Sequence, residues 1–290
     1  MPTLKHLPSA QAIYWQGKLL LLDAGEGVQL SLRANKIPFQ KIEAVFISHM
    51  HGDHVLGLPG LIGSMNLLGR TKPLQLFGPE ALKSYVKHSL ELTHTHVAFP
   101  LEFHALSEQG NSTIYQWQGS SVESIPVQHR IAAFGFAFHY RALERNLRKD
   151  ARDRLHLSRT ELLSLKAGNQ VQRPDGSTIH PDDACEPPKS PLRYVYSGDT
   201  APCAGIQNTA QQANLLYHEA TFLQEMSKVA KATGHSTAEQ AAKLAREAGV
   251  KHLLLGHFSS RYRDETRLLN EASLYHPNVS LAHEGMRIRL

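Results

Sequence analysis

Cysteine is scarce in this sequence: Cys185 and Cys203 are the only two among 290 residues. Two cysteines cannot build a disulfide framework, so they read as free thiols in a reducing compartment. No apolar run approaches membrane-spanning length, and the N-terminus lacks the charged, apolar and small-residue regions of a signal peptide. A disulfide-stapled scaffold and a helical membrane protein are thereby excluded, and the cytoplasm is the expected location. No internal repeat or low-complexity segment is visible. Hydrophobic residues at 41% and charged residues at 20% are ordinary for a globular protein, and the length allows one large domain or two small ones. The net charge of +5 favours a polyanionic partner without requiring one.

Histidine, by contrast, is abundant at eighteen residues. Three of them fall with an aspartate inside Ser48-His49-Met50-His51-Gly52-Asp53-His54, directly after the apolar run Ile42 to Ile47. That run reads as a buried strand, so the cluster sits where a strand ends and turns. His49 and His51, two apart in extended chain, point to the same side. Gly52 is expected to bend the chain tightly, bringing Asp53 and His54 round to face them. Imidazole nitrogen with carboxylate oxygen suits zinc, manganese or iron better than calcium or magnesium. A histidine-rich surface turn that binds nothing is the bland alternative, but lone histidines are usually structural and four-ligand clusters after a core strand rarely are.

Strands are expected at Gln11 to Trp15 and Lys18 to Asp23, with a short helix ending before Pro38. After the cluster, Leu58, Leu61, Ile62 and Met65 mark one helical face, and Leu82, Tyr85, Val86 and Leu90 another, after a strand from Pro73 to Phe77. Thr93-His94-Thr95-His96, with no carboxylate beside it, reads as a solvated loop. Three short strands near 101–104, 113–117 and 122–127 suggest a hairpin-like group, and His129 follows the last of them. A strand spans Phe134 to Tyr140. Residues 141–191 break this rhythm. Arg141 to Leu155 carries six basic against three acidic side chains, a net +3 of the chain's +5. Leu157 to Lys166 reads as a helix and the proline-rich remainder as turns and coil. Thereafter strands ending at Tyr196, Tyr217 and Leu255 lead into Ser-Gly-Asp199-Thr, His218-Glu219-Ala-Thr and Gly-His257-Phe-Ser-Ser-Arg261. A helix with Ala238, Ala241, Ala242, Ala245 and Ala248 inward follows Gly234-His235-Ser236-Thr237, where Ser236 or Thr237 can cap it.

His49-x-His51-x-Asp53-His54 resembles the signature of the metallo-β-lactamase fold. With Phe46-Ile47-Ser48 before it and Gly57-Leu58-Pro59-Gly60-Leu61 after it, the stretch is similar to the ribonuclease Z family, endonucleases that trim the 3′ end of precursor tRNA. Asp23-Ala24-Gly25-Glu26-Gly27-Val28-Gln29, His218-Glu219-Ala220-Thr221 and Gly234-His235-Ser236-Thr237 resemble that family as well, and the likeness runs from about Leu21 to Arg263. It departs at the start, where the family has one more strand ahead of a Pro-Thr pair like Pro2-Thr3. It departs again at Ser158-Arg159-Thr160, where the family has a Gly-Pro.

The resemblance implies one α/β domain over 1–290, a four-layer αββα sandwich of two packed mixed sheets with helices outside. Residues 141–191 would be inserted as a basic arm that grips tRNA. It also implies two divalent metal ions, zinc or manganese: His49, His51 and His129 on one, Asp53, His54 and His257 on the other, and Asp199 bridging. Two such ions can clamp the oxygens of an in-line phosphoryl displacement and lower the pKa of water. Asp53 is then the candidate base, His235 the group that supplies the leaving oxygen with a proton, and Glu219 its holder. His218 reads as a supporting histidine. Arg145, Arg148, Lys149, Arg152 and Arg261 are the candidate substrate contacts. Precursor tRNA is the expected partner, gripped by shape and phosphate rather than by base edges, with a homodimer and no membrane. Two rivals differ in class: a small-molecule or cyclic-nucleotide phosphodiesterase of the same fold, and an RNA-binding protein without catalysis.

Overall fold

The computed structural model describes residues 7–290, so the Pro2-Thr3 pair lies outside the described residues. Strands β1 (Gln11–Trp15) and β2 (Lys18–Leu22) form a hairpin, and helix α1 (Val28–Ala34) follows. Next come β3 (Ile42–Phe46), the single turn α2 (Gly52–Val55), α3 (Leu58–Leu67), β4 (Leu74–Gly78), α4 (Ala81–Leu92) and β5 (Leu101–Ala105). Strands β1 to β5 make one sheet in chain order, antiparallel at the hairpin and parallel beyond it. β5 is therefore an edge strand of this first sheet, opposite β1. Its short length suggested a place in the hairpin group, but strand length carries no information about which sheet a segment joins.

The hairpin proper is β6 (Ser112–Trp117) with β7 (Ser120–Pro126), continued by β8 (Phe134–Tyr140). Residues 141–191 hold α5 (Ala151–Arg154), α6 (Arg159–Lys166), β9 (Val171–Gln172), β10 (Thr178–Ile179) and α7 (Pro181–Ala184). The chain returns through β11 (Leu192–Tyr196), α8 (Ala204–Thr209), β12 (Leu215–Glu219), α9 (Ser227–Thr233), α10 (Ala238–Glu247), β13 (Leu253–Gly256), α11 (Thr266–Ser273) and β14 (Val279–Leu281). The second sheet runs β14-β13-β12-β11-β8-β7-β6, its first four strands parallel and the rest antiparallel.

Side-chain alternation explains the layering. Leu19 and Leu21 of β2 point outward onto Leu58, Leu61, Ile62 and Met65 of α3, whereas Leu20 and Leu22 point inward. A strand covered on both faces needs a continuous apolar run, which is why Leu19 to Leu22 has no polar member. Between the sheets, Phe46 stacks on Phe77 at 4.9 Å and meets Phe136 tilted and Phe138 edge-on, and Tyr194 and Tyr196 complete this aromatic layer. Each fully buried side chain of this size contributes roughly 1.5–3 kcal/mol. Outside the second sheet, Val195, Leu216, Leu253 and Leu255 pack on the alanine face of α10 and on Leu268. Thr237, not Ser236, caps α10, in a reciprocal capping box with Gln240. The order is helix, sheet, sheet, helix, the αββα sandwich expected.

The insertion is more ordered than coil. Ala151, Leu157, Leu165, Ile179, Ala184 and Cys185 form a small buried cluster of their own. Ser158 and Glu161 box the start of α6, and β9 pairs with β10. Its apolar residues are too widely spaced for periodicity to reveal, because they come from five short pieces.

The candidate metal centre

The ends of β2, β3, β11, β12 and β13 meet at one edge of the sandwich. A close backbone approach fixes the first two. Ala24 N–H donates to His54 O, Gly57 N–H donates to Ala24 O, and a Cβ on Gly57 would lie 2.0 Å from Gly25 O. Only glycine fits there, so the Asp23-to-Gln29 turn and the histidine loop are built to touch. The loop itself differs from expectation at Gly52, which opens the helical turn α2 and has no positive φ. A helical turn, rather than glycine's backbone freedom, carries Asp53 and His54 round.

The expected residues converge. His51 Nδ1 lies 3.0 Å from His49 Nε2 and 3.2 Å from His129 Nε2. Asp199 Oδ2 lies 3.7 Å from His49 Nε2, 3.5 Å from His54 Nε2 and 3.2 Å from His257 Nε2. Asp53 Oδ2 stands 3.5 Å from His257 Nε2 and 4.0 Å from His54 Nε2, on the more open side. His49, His51 and His129 form one group with ligand atoms within 4.8 Å of one another, as do His49, His54 and Asp199, and Asp53, His54 and His257. Asp199 stands between the two halves, as a bridging ligand would.

The remote nitrogens show how the rings are aimed. His49 Nδ1 meets Ser48 Oγ at 3.0 Å, His54 Nδ1 meets Asp23 Oδ2 at 2.8 Å, and His129 Nδ1 donates to Gly234 O at 2.7 Å. A hydrogen bond at one ring nitrogen selects the tautomer that leaves the other as a lone-pair donor. The residues fit a divalent cation by a further sign: His54 Nε2 is buried, faces two carboxylates and has no hydrogen-bond partner among the described residues. Electrostatics agree. Burial, with His54 alongside, pushes the His49 imidazole down to about 2, and burial likewise lowers His51 and His129. His54 is buried and His257 half-buried, yet the charge of Asp199, with Asp23 at one and Asp53 at the other, raises both. The hydrogen bond from His257 holds the Asp53 carboxyl low, and the neighbouring imidazoles outweigh burial to hold Asp199 low. The pocket favours positive charge around two ionised carboxylates.

Beside it, His235 Nδ1 donates to Glu219 Oε1 at 2.7 Å, and its ring stacks on His257 at 5.4 Å. Glu219 is buried and also accepts from Thr200 N and Thr221 N. His218 turns away into the helix side of β12, where its Nδ1 donates to Glu219 O. Asp23 is a buried residue of this centre that sequence reasoning missed. It accepts from Ser48 N, Ser48 Oγ, His54 Nδ1 and the hydroxyl of Tyr196, which reaches across from the second sheet. A lone aspartate at a strand end was the available signal.

The candidate substrate contacts are not all free. Arg145 pairs with Asp182 and donates to Glu186 O, and Arg148 donates to Cys185 O, so both staple the insertion together. Lys149 and Arg152 are exposed. Arg261 lies over the Phe222 ring at 4.9 Å and donates to Ser259 Oγ, near His235. His94 and His96 are exposed and lie outside all of these groups, as expected.

Residues 3–147, half of the chain, match the family described as Anti-Pycsar protein Apyc1. A ribonuclease Z of Porphyromonas gingivalis is 40% identical over 291 residues, covering all of this chain and 95% of that protein. Human tRNase Z, short form, has a similar structure at TM-score 0.70 and 24% identity, covering 98% of this chain and 93% of its own. The metallo-β-lactamase fold protein YhfI from Bacillus subtilis follows at TM-score 0.67 and 18% identity, covering 98% and 92%. The fold is that of the metallo-β-lactamases. The chain belongs to the ribonuclease Z family, and the match of its first half puts it equally among the sequences that the Apyc1 description covers.

Proposed function

We propose that the protein is a metal-dependent endoribonuclease that removes 3′ trailers from precursor tRNA by hydrolysing one phosphodiester bond. The observation that carries this reading is the meeting of seven potential ligands from distant parts of a chain with full-length ribonuclease Z relatives. His49, His51 and His129 would hold one ion and Asp53, His54 and His257 the other, with Asp199 in reach of both groups; zinc is the expected metal, with manganese able to replace it. Bound there, divalent ions supply Lewis-acid charge at the phosphate and lower the pKa of nearby water. Asp53, on the open side of the pocket, orients the attacking water and accepts its proton. His235 hands a proton to the departing ribose oxygen, and Glu219 keeps its ring turned for that transfer. The products are a 3′-hydroxyl on the tRNA and a 5′-phosphate on the trailer.

Residues 141–191 act as the RNA-gripping arm of a single domain, with Lys149 and Arg152 among its exposed cations and Arg261 nearer the scissile phosphate. The working form is a cytoplasmic homodimer. No described helix is long and apolar enough to cross a membrane. Zinc-loaded protein incubated with a defined precursor tRNA should release a trailer whose ends map to one bond. Turnover of cyclic nucleotides or simple diesters with precursor tRNA left intact would replace this reading with the phosphodiesterase one.

A further inference from the structure

We infer that Thr221 is a positioning residue serving two groups of the centre at once, an assignment that rests on the reading just given. Its Oγ1 lies 2.9 Å from His257 Nδ1 and 2.9 Å from Glu219 Oε2. A hydroxyl can accept one hydrogen bond and donate another. His257 Nδ1–H is the donor to it. Its own proton goes to Glu219, because a charged carboxylate outcompetes the neutral His257 carbonyl, which lies at 3.0 Å. The result is one chain of hydrogen bonds: His235 Nδ1–H to Glu219, Thr221 O–H to Glu219, and His257 Nδ1–H to Thr221.

Two consequences follow for His257. Accepting from Nδ1 leaves Nε2 as the lone-pair atom, the one that faces Asp53 and Asp199. The backbone of His257 is also left-handed, at φ 57, a conformation that a side chain with a Cβ rarely adopts. Thr221 spans that strained residue, since its carbonyl accepts from Ser259 N on the far side. The other remote ring nitrogens rest on an aspartate, a serine that meets both His49 and His54, and a backbone carbonyl. Of these partners, Thr221 is the one whose side chain hydrogen-bonds to Glu219, the carboxylate that holds His235. Removing its oxygen should therefore loosen metal binding and proton delivery together.

Thr221→Val keeps the branched shape and deletes the hydroxyl, whereas Thr221→Ser keeps the hydroxyl. Zinc affinity, measured by competition with a chromophoric chelator, should fall about 10- to 100-fold in the valine variant and stay within about threefold of wild type in the serine variant. For precursor tRNA, kcat should fall with KM unchanged in the valine variant, and serine should restore it. A valine variant that binds zinc within about twofold of a zinc-binding wild type overturns the assignment alone. Wild-type protein that binds no zinc overturns the parent reading and this one together. Should the valine variant not fold, nitrogen-15 shifts of zinc-loaded wild type decide: a protonated Nδ1 on His257 is expected, and coordination through Nδ1 overturns it.

Discussion

The metal pocket and the insertion at 141–191 spend their polar side chains in opposite ways. In the pocket, His49, His54, Asp23, Asp199 and Glu219 are buried, and each is held by partners from another strand end. In the insertion, the pairs Arg154–Asp150, Lys166–Glu144 and Arg173–Glu161 lie within one short module; the first two are exposed to solvent and the third is half-buried. Buried, networked groups cannot be changed singly without leaving a partner unsatisfied. Solvated pairs can, because water replaces what is lost. One region should respond to substitution steeply and locally, the other shallowly and through salt.

The largest effect should come from Asp199→Ala. It removes the oxygen common to His49, His54 and His257, and should abolish detectable cleavage and lower the bound metal count by elemental analysis. His235→Ala should reduce kcat by about 10²- to 10⁴-fold with metal content unchanged, which separates proton delivery from ligation. A fall in metal content would erase that distinction. Asp23→Asn keeps the shape but withdraws the charge that holds His54. About 10- to 100-fold weaker zinc binding by chelator competition is the expected outcome. The smallest effect belongs to the insertion. Lys149→Ala with Arg152→Ala should leave kcat intact and reduce the slope of log affinity for tRNA against log salt by about one to two. Arg145→Ala, by contrast, should loosen the insertion itself, read as faster proteolysis near Asp182. An unchanged salt slope in the double variant would remove these cations from RNA binding.

Legibility followed distance along the chain. His49, His51, Asp53 and His54 stand within six positions, so their spacing and the strand before them exposed the ligand cluster directly. Asp199 was visible because it follows a buried strand in a turn of small residues. The hold of Asp23 on His54 spans 31 residues and that of Thr221 on His257 spans 36, and no local pattern links either pair. The membership of β5 in the first sheet and the apolar cluster of the insertion were hidden for the same reason.

By itself, then, the sequence determined the layered α/β framework, through apolar runs that must be covered on both faces, and the type of chemistry, through ligands crowded at one strand end. Tertiary structure alone decided which nitrogen each imidazole presents and which arginines are tied up inside the insertion. Those outcomes depend on hydrogen bonds between strand ends that become neighbours only when the sheets twist together and pack.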